Sequence, residues 1–344
     1  MAPNIKDVAR IAGMSTASVS IVLNDKYKGQ ISEDNRKRIL EAVKKLGYTP
    51  HRYGRALKLQ KSEIAGYAMA FSTQYIFSDP YFHETIVTME KKLREYSYSL
   101  LFFALTPQEG NKHILQMNGQ GSLLDGIIIE APPEKDTFIA ELEQKKIPVV
   151  IIGNHPDGAG LCSVDVDNVE AGVKATEHLI GLGRKSIGFI SGPLAFGNAQ
   201  DRLSGYRKAL IDRDMPVMPG LVQEGDFSIE SGYEAMKKIL DQGGCKADGI
   251  VAGNDLMAIG AMNLIKDRGL KIPEDIAVVG FNNTSLSQHY EPALTTVNIP
   301  AKEIAQKAVE MLIAVMKGNG DCAATDRKRI VIDTELIIRE STRK

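Results

Sequence analysis

The chain has 344 residues, 43% of them hydrophobic, which is enough for more than one packed core. Its opening residues do not resemble a signal peptide and no apolar run is long enough to span a bilayer, so a cytoplasmic protein with no membrane partner is expected. The net charge of −1 is uneven: residues 1–60 carry 12 Lys and Arg against 5 Asp and Glu, the rest carries 30 against 38, and a head attractive to a polyanion thus precedes a negative body.

The first predicted elements are two short helices around a tight turn in residues 4–24, NIKDVARIAGMSTASVSIVLN. Ile5, Val8, Ala9 and Ala12 fall on one helical face, and Gly13 sits where that helix must end and the chain reverse. Ser15 is a good N-cap for a second helix with Val19, Val22 and Leu23 inward. Its outer face, Thr16, Ala17, Ser18 and Ser20, is small, polar and uncharged, which suits entry into a DNA major groove. A helical hairpin packed on a larger domain fits the two helices equally well; the basic surroundings favour the helix-turn-helix.

A polar loop at 25–31 leads to a third helix, capped by Ser32, with Ile39, Leu40, Val43 and Leu46 as its expected buried stripe and Gly47 as its stop. Residues 49–61 read as a linker. Thr49 can cap, Pro50 suits a first helical position, and a helix of about two turns is marginal on its own below ~12 residues. Its Arg52, Arg55 and Lys58 surround Leu57, a combination suited to a minor groove in which a leucine parts two base pairs.

From Ile64 the texture changes. Strands are expected at 64–71, 98–104, 126–130, 148–152, 186–191, 248–252 and 276–281. Helices are expected near 81–96, 108–121, 135–145, 168–182, 199–213, 229–242, 255–268 and 301–317. Continuous apolar strands alternating with helices imply parallel sheets covered on both faces. About 280 residues of that pattern suit two doubly wound subdomains, with a ligand cleft at the strands' carboxyl ends. The widely spaced Cys162, Cys245 and Cys322 are expected to be free thiols.

The ordered motifs carry a resemblance. NRKRILEAVKKLGYTPHRYGRAL follows the helix-turn-helix; then come DPYF, VDNVEAGVKATEHLIGLGRKSIGFISG, DRLSGYRKAL, GDFSIESGY, GNDLMAIGA, IPEDIAVVGFNN, PALTTV and ELIIREST. Over nearly its whole length the chain resembles bacterial transcriptional regulators of the lac repressor family (LacI/GalR). The resemblance implies an N-terminal all-α helix-turn-helix domain (1–48), a hinge helix (49–61) and an α/β body of the periplasmic-binding-protein type I kind (62–344). That body would consist of two doubly wound subdomains, about 62–163 with 298–325 and about 164–297 with 326–344, joined by three crossovers. The segment after Lys328 would return to the second subdomain as a strand. The implied partners are a near-palindromic double-stranded DNA operator, a second copy of the chain and a small-molecule effector, a sugar or sugar derivative. No cofactor, metal or catalytic residue is implied.

Carried over by position, Thr16, Ala17 and Ile21 would face base edges. Ser15, Ser18, Ser20 and Asn24 would face phosphates, with Ser32, Asn35, Tyr48, His51 and Arg55 in support and Leu57 as the wedge. Ile21 stands where many members carry a long polar residue, often arginine, so the operator is expected to differ at that base. Gly54 replaces the usual hinge alanine. The implied effector contacts are Asp79, Tyr81, Phe82, Asn198, Arg202, Phe227, Asn254 and Asn282. The purely structural reading is strongest for Asp255, as a cap of the helix after its strand, and for Phe82, where core and ligand contact are equally good readings. Asn282 replaces an expected aspartate, which would tolerate an anionic effector such as a sugar phosphate. Ile299 stands where many members have glutamine. Two other functions remain open. A solute-binding receptor would use the same body. An enzyme is the weaker alternative, since the chain shows no GxSxG, HExxH or P-loop.

Overall fold

In the computed structural model, the side chain of Asn4 accepts from the backbone N–H of Lys6 at 2.8 Å and of Asp7 at 3.3 Å, while Asp7 accepts from Asn4 N at 3.1 Å. This reciprocal box starts α1 (Ile5–Ala12), and Gly13, left-handed at φ 65°, ends it. The structure describes residues 3–23, 31–48, 61–71, 73–105, 114, 123–132, 138–153, 161–242, 246–318 and 329–343. Asn24, His51, Arg55, Leu57 and the helix expected at 108–121, apart from Ile114, lie outside them. The chain divides into two compact units, the first through Ser62 and the second from Glu63.

In the first unit, α2 (Thr16–Leu23) and α3 (Glu33–Leu46) complete a three-helix core of Val8, Ala9, Ala12, Val19, Val22, Ile39, Ala42 and Tyr48. Two stripe positions differ from expectation: Leu40 is exposed and Ala42 is buried. Ile39 and Ala42 lie three apart and Val43 and Leu46 pack partly beside them. The inward face therefore runs through 39, 42, 43 and 46, and Leu40 falls outside it.

The second unit holds two six-stranded sheets. In the first, β1 (Ile64–Met69), β2 (Ser99–Ala104), β3 (Gly126–Glu130), β4 (Val149–Ile152), β5 (Cys162–Val166) and β11 (Arg329–Ile332) are all parallel, in the order 11-5-4-3-1-2. Successive side chains alternate between its faces: Ile128, Val150 and Ile152 join the large core, and Ile127, Ile129, Val149 and Ile151 a separate one with Phe138 and Leu142. In the second sheet, β6 (Ile187–Ser191), β7 (Val222–Glu224), β8 (Gly249–Ala252), β9 (Ala277–Phe281) and β10 (Thr295–Asn298) are parallel. β12 (Glu335–Ile337) pairs antiparallel with β10.

The covering helices are α4 (Thr73–Ser78), α5 (Pro80–Glu95), α6 (Phe138–Gln144), α7 (Asn168–Gly181), α8 (Gly197–Ile211), α9 (Ile229–Asp241), α10 (Asp255–Asp267), α11 (Ser285–His289) and α12 (Ala301–Lys317). This is the doubly wound α/β pair expected, with three corrections. The chain leaves the first sheet after Val166 rather than near 163, and Arg329–Ile332 joins that same first sheet beside β5. The segment after Lys328 thus reaches the second sheet only at Glu335. β5, β7, β10, α4 and α11 appear where none was expected. Finally, Cys162 is disulfide-bonded and not a free thiol, with its partner outside the described residues; spacing along a chain cannot show which cysteines folding brings together.

Candidate functional site

α2 carries no charged residue. Ser15, Thr16 and Ala17 are exposed and Ser18, Ser20 and Ile21 are half-exposed, so six of the expected DNA-facing residues share an accessible helix and its cap. Ser15 Oγ accepts from Ser18 N at 3.0 Å and lies 2.9 Å from Ser18 Oγ, which starts the helix and fixes both hydroxyls. Ser32 caps α3 by accepting from Asn35 N at 3.4 Å. The ring of Tyr48 is in the helical core, only 8% exposed.

In the second unit a cavity lies where the parallel strands of both sheets end. Tyr81 and Phe82 enter it from the start of α5; Glu130, Gly153, Asp165 and Val166 from the ends of β3, β4 and β5; Asn198 and Arg202 from α8. Phe227, Asn254, Asn282 and Ile299 follow β7, β8, β9 and β10. This is the carboxyl-end crevice that wound sheets offer to ligands. Seven of the eight residues expected at an effector site line it. The eighth, Asp79, does not: it is fully buried, capping α5 by accepting from Tyr81 N at 3.0 Å and accepting from the Tyr75 hydroxyl at 3.1 Å. Burial, more than any partner, raises its pKa.

The cavity measures about 40 Å³, far below the ~300–1,000 Å³ usual for small-molecule sites. Aromatic rings take up the space. Phe71 packs on Tyr75 at 5.3 Å and on Phe82 at 5.4 Å, and Tyr75 stacks on Phe227 at 5.5 Å. Phe227 holds a left-handed backbone, φ 70°. Its ring lies over Gly192, where an added Cβ would come within 2.0 Å of Cζ, so glycine is needed there.

The polar floor is a chain of hydrogen bonds. Arg202, 6% exposed, donates from Nε to Asn168 Oδ1 at 3.0 Å and from Nη1 to Gly253 O at 2.6 Å, and its guanidinium lies 4.7 Å over Phe281. Asn168 donates to Asp165 Oδ1 at 3.3 Å, and Asp165 also accepts from Val166 N at 2.7 Å. Glu130 accepts from the hydroxyls of Tyr67 and Tyr81. Burial pushes Glu130 and Asp165 up to about 7 and lowers Arg202. Asn254 is both lining and structure: it caps α10 by accepting from Met257 N at 2.9 Å and donates to Phe227 O at 2.9 Å. Asp255 is therefore not the cap. It accepts from Thr284 N at 2.7 Å and from Thr296 Oγ1 at 2.6 Å, and burial pushes it up to about 7.

Sequence reasoning missed Phe71, Tyr75, Glu130, Asp165 and Asn168 in this lining. Glu130 left a signal, an acid at the carboxyl end of the apolar strand GIIIE. Among the described residues no group of three His, Cys, Asp or Glu could hold a metal, and no helix is long and apolar enough to cross a membrane.

Residues 4–51 match the model for bacterial regulatory proteins of the lacI family, and residues 176–342 match a periplasmic binding protein-like domain. The HTH-type transcriptional regulator CelR of Thermobifida fusca is 30% identical over 98% of this chain and 98% of its own. A structure of a CelR–cellobiose complex superposes with a TM-score of 0.75 at 29% identity, covering 98% of this chain and 99% of that one. The lac repressor dimer, solved on its operator with the anti-inducer ONPF, superposes with a TM-score of 0.87 at 25% identity over 99% of each chain.

Proposed function

The chain belongs to the lacI family of bacterial regulatory proteins and is a transcriptional regulator, and from that premise we propose how it works. It binds a near-palindromic operator as a homodimer, each copy placing α2 in a major groove. A small molecule, a sugar or sugar derivative, binds at the strand-end cavity and alters DNA affinity through its unequal affinity for the two states of the protein. The proposed DNA contacts are Ser15, Thr16, Ala17, Ser18, Ser20, Ile21, Ser32, Asn35 and Tyr48, joined on sequence grounds by Asn24, His51, Arg55 and Leu57. The proposed effector contacts are Tyr81, Phe82, Asn198, Arg202, Phe227, Asn254 and Asn282, with Asp79 supporting from behind.

One observation carries the reading: a charge-free, exposed second helix and a ligand-type crevice at converging strand ends occur in one chain. A transport receptor needs the second but has no use for the first. DNA as the target also places the protein in the cytoplasm. The direct test is selection of duplexes from a random pool by the full-length protein, with and without a metabolite panel. Twofold sites whose occupancy changes with one metabolite, and falls steeply with salt, are expected. Failure to enrich any twofold site overturns the proposal.

A further inference from the structure

Resting on the reading of α2 as the element placed in the major groove, we infer that α2 selects A·T pairs by packing Ala17 and Ile21 on thymine methyl groups, and not by a hydrogen-bond code.

The side chains available set this choice. From Gly13 to Leu23 the turn and α2 contain no Arg, Lys, Asn, Gln, Asp, Glu or His. Arg or Lys reads guanine bidentately, Asn or Gln reads adenine, and an acid accepts from the cytosine amino group. None of these is present in this stretch. Four hydroxyls are. Those of Ser15 and Ser18 lie 2.9 Å apart and engage each other. Those of Thr16 and Ser20 belong to residue types that bond to any base, so they discriminate little.

The geometry of the helix then singles out two residues. Val19 and Val22 are buried in the three-helix core and Leu23 packs partly beside them. At about 100° per residue, Ala17 and Ile21 fall within about 30° of the direction opposite those three. Ala17 is exposed and Ile21 half-exposed. Spaced four apart, their Cβ atoms stand ~5–6 Å from each other, a short apolar strip that reaches neighbouring base pairs at their ~3.4 Å rise. The cations of α1, Lys6 and Arg10, lie on the helix that in this motif crosses the backbone, and Arg10 is paired with Asp7 at 3.1 Å. The thymine methyl is the apolar group that base edges present in the major groove. The strip gains contact against it, whereas against a cytosine amino group it would leave a donor dry and unpaired.

The test starts from a twofold site selected by the full-length protein. In each half-site deoxyuridine replaces thymidine one position at a time, which removes the methyl and keeps every hydrogen-bonding group. At least one position per half-site is expected to lose about threefold or more in affinity, read by gel shift at fixed salt. At that position 5-methylcytosine paired with guanine is expected to bind more tightly than cytosine does. Ile21→Ala and Ala17→Gly are expected to shrink the gap between thymine and uracil sites. The uracil series needs no protein variant, so it decides the matter even if a variant misfolds. Uracil substitutions that are all neutral, or a gap undiminished in both variants, overturn the inference and leave the operator reading standing. Failure to enrich any twofold site removes the operator reading itself, and the inference with it.

Discussion

Tyr75 and Phe227 lie face to face, their ring centroids 5.5 Å apart and their planes within 11°. One face of Phe227 is thereby covered by the chain's own tyrosine, held by its hydroxyl to Asp79 at 3.1 Å. Removing only that hydroxyl keeps the stack but takes a hydrogen bond from a buried carboxylate. Tyr75→Phe is expected to lower stability by about 1–3 kcal/mol, read as a shift in the urea midpoint at constant slope.

Gly192→Ala acts at the tip of the same ring. The new Cβ would stand 2.0 Å from Phe227 Cζ, so the ring must move and the stack on Tyr75 must break. A loss of about 1–3 kcal/mol and at least tenfold weaker effector binding are expected, with operator affinity kept. Thermal melts, calorimetry and gel shifts read the three effects.

Arg202→Ala removes the donor to Asn168 and Gly253 and leaves Asp165 with one fewer cation acting on it. Effector response is expected to vanish while a DNA-binding dimer remains. An operator complex released by the metabolite as in the parent protein would contradict this.

The pH dependence follows from three buried acids. Glu130, Asp165 and Asp255 each rise to about 7 in the folded chain, from ordinary values of 4.5, 3.8 and 3.8. The folded state therefore holds more protons between those limits, and stability falls as pH rises through that window. Their contribution is complete below about pH 4 and gone above about pH 7. The ligand-free protein is expected to melt at a lower temperature at pH 8 than at pH 6. Glu130→Gln should flatten that slope, and an equal slope would remove Glu130 from the account.

For the DNA end, Leu57→Ala is expected to weaken specific binding at least about tenfold while changing non-specific binding little. Equal losses on operator and random duplex, measured by gel shift, would count against a wedge.

Local signals made some elements legible. Gly13 and Gly47 end helices in left-handed conformation, as their position suggests. Apolar strands such as Gly126–Glu130 and Val149–Ile152 lie within a residue or two of the limits their hydropathy marks. β5 and β10 were illegible because polar side chains interrupt them. Asp165 is buried beside Asn168, and Thr295 and Thr296 are satisfied by Thr342, 47 residues on, and by Asp255, 41 residues back. A strand whose polar groups find distant partners looks like a loop to any window of sequence.

By itself, then, the sequence determined what depends on near neighbours: the capped three-helix head, the strand–helix alternation of the body, and the aromatic and arginine side chains that follow strand ends. Only the tertiary structure decided where Arg329–Ile332 pairs, that Tyr75 covers Phe227, and that Glu130 and Asp165 share a cavity with one engaged cation. Burial and charge balance are set by strands far apart in the chain, whose approach is fixed by sheet packing and not by anything within reach along the backbone.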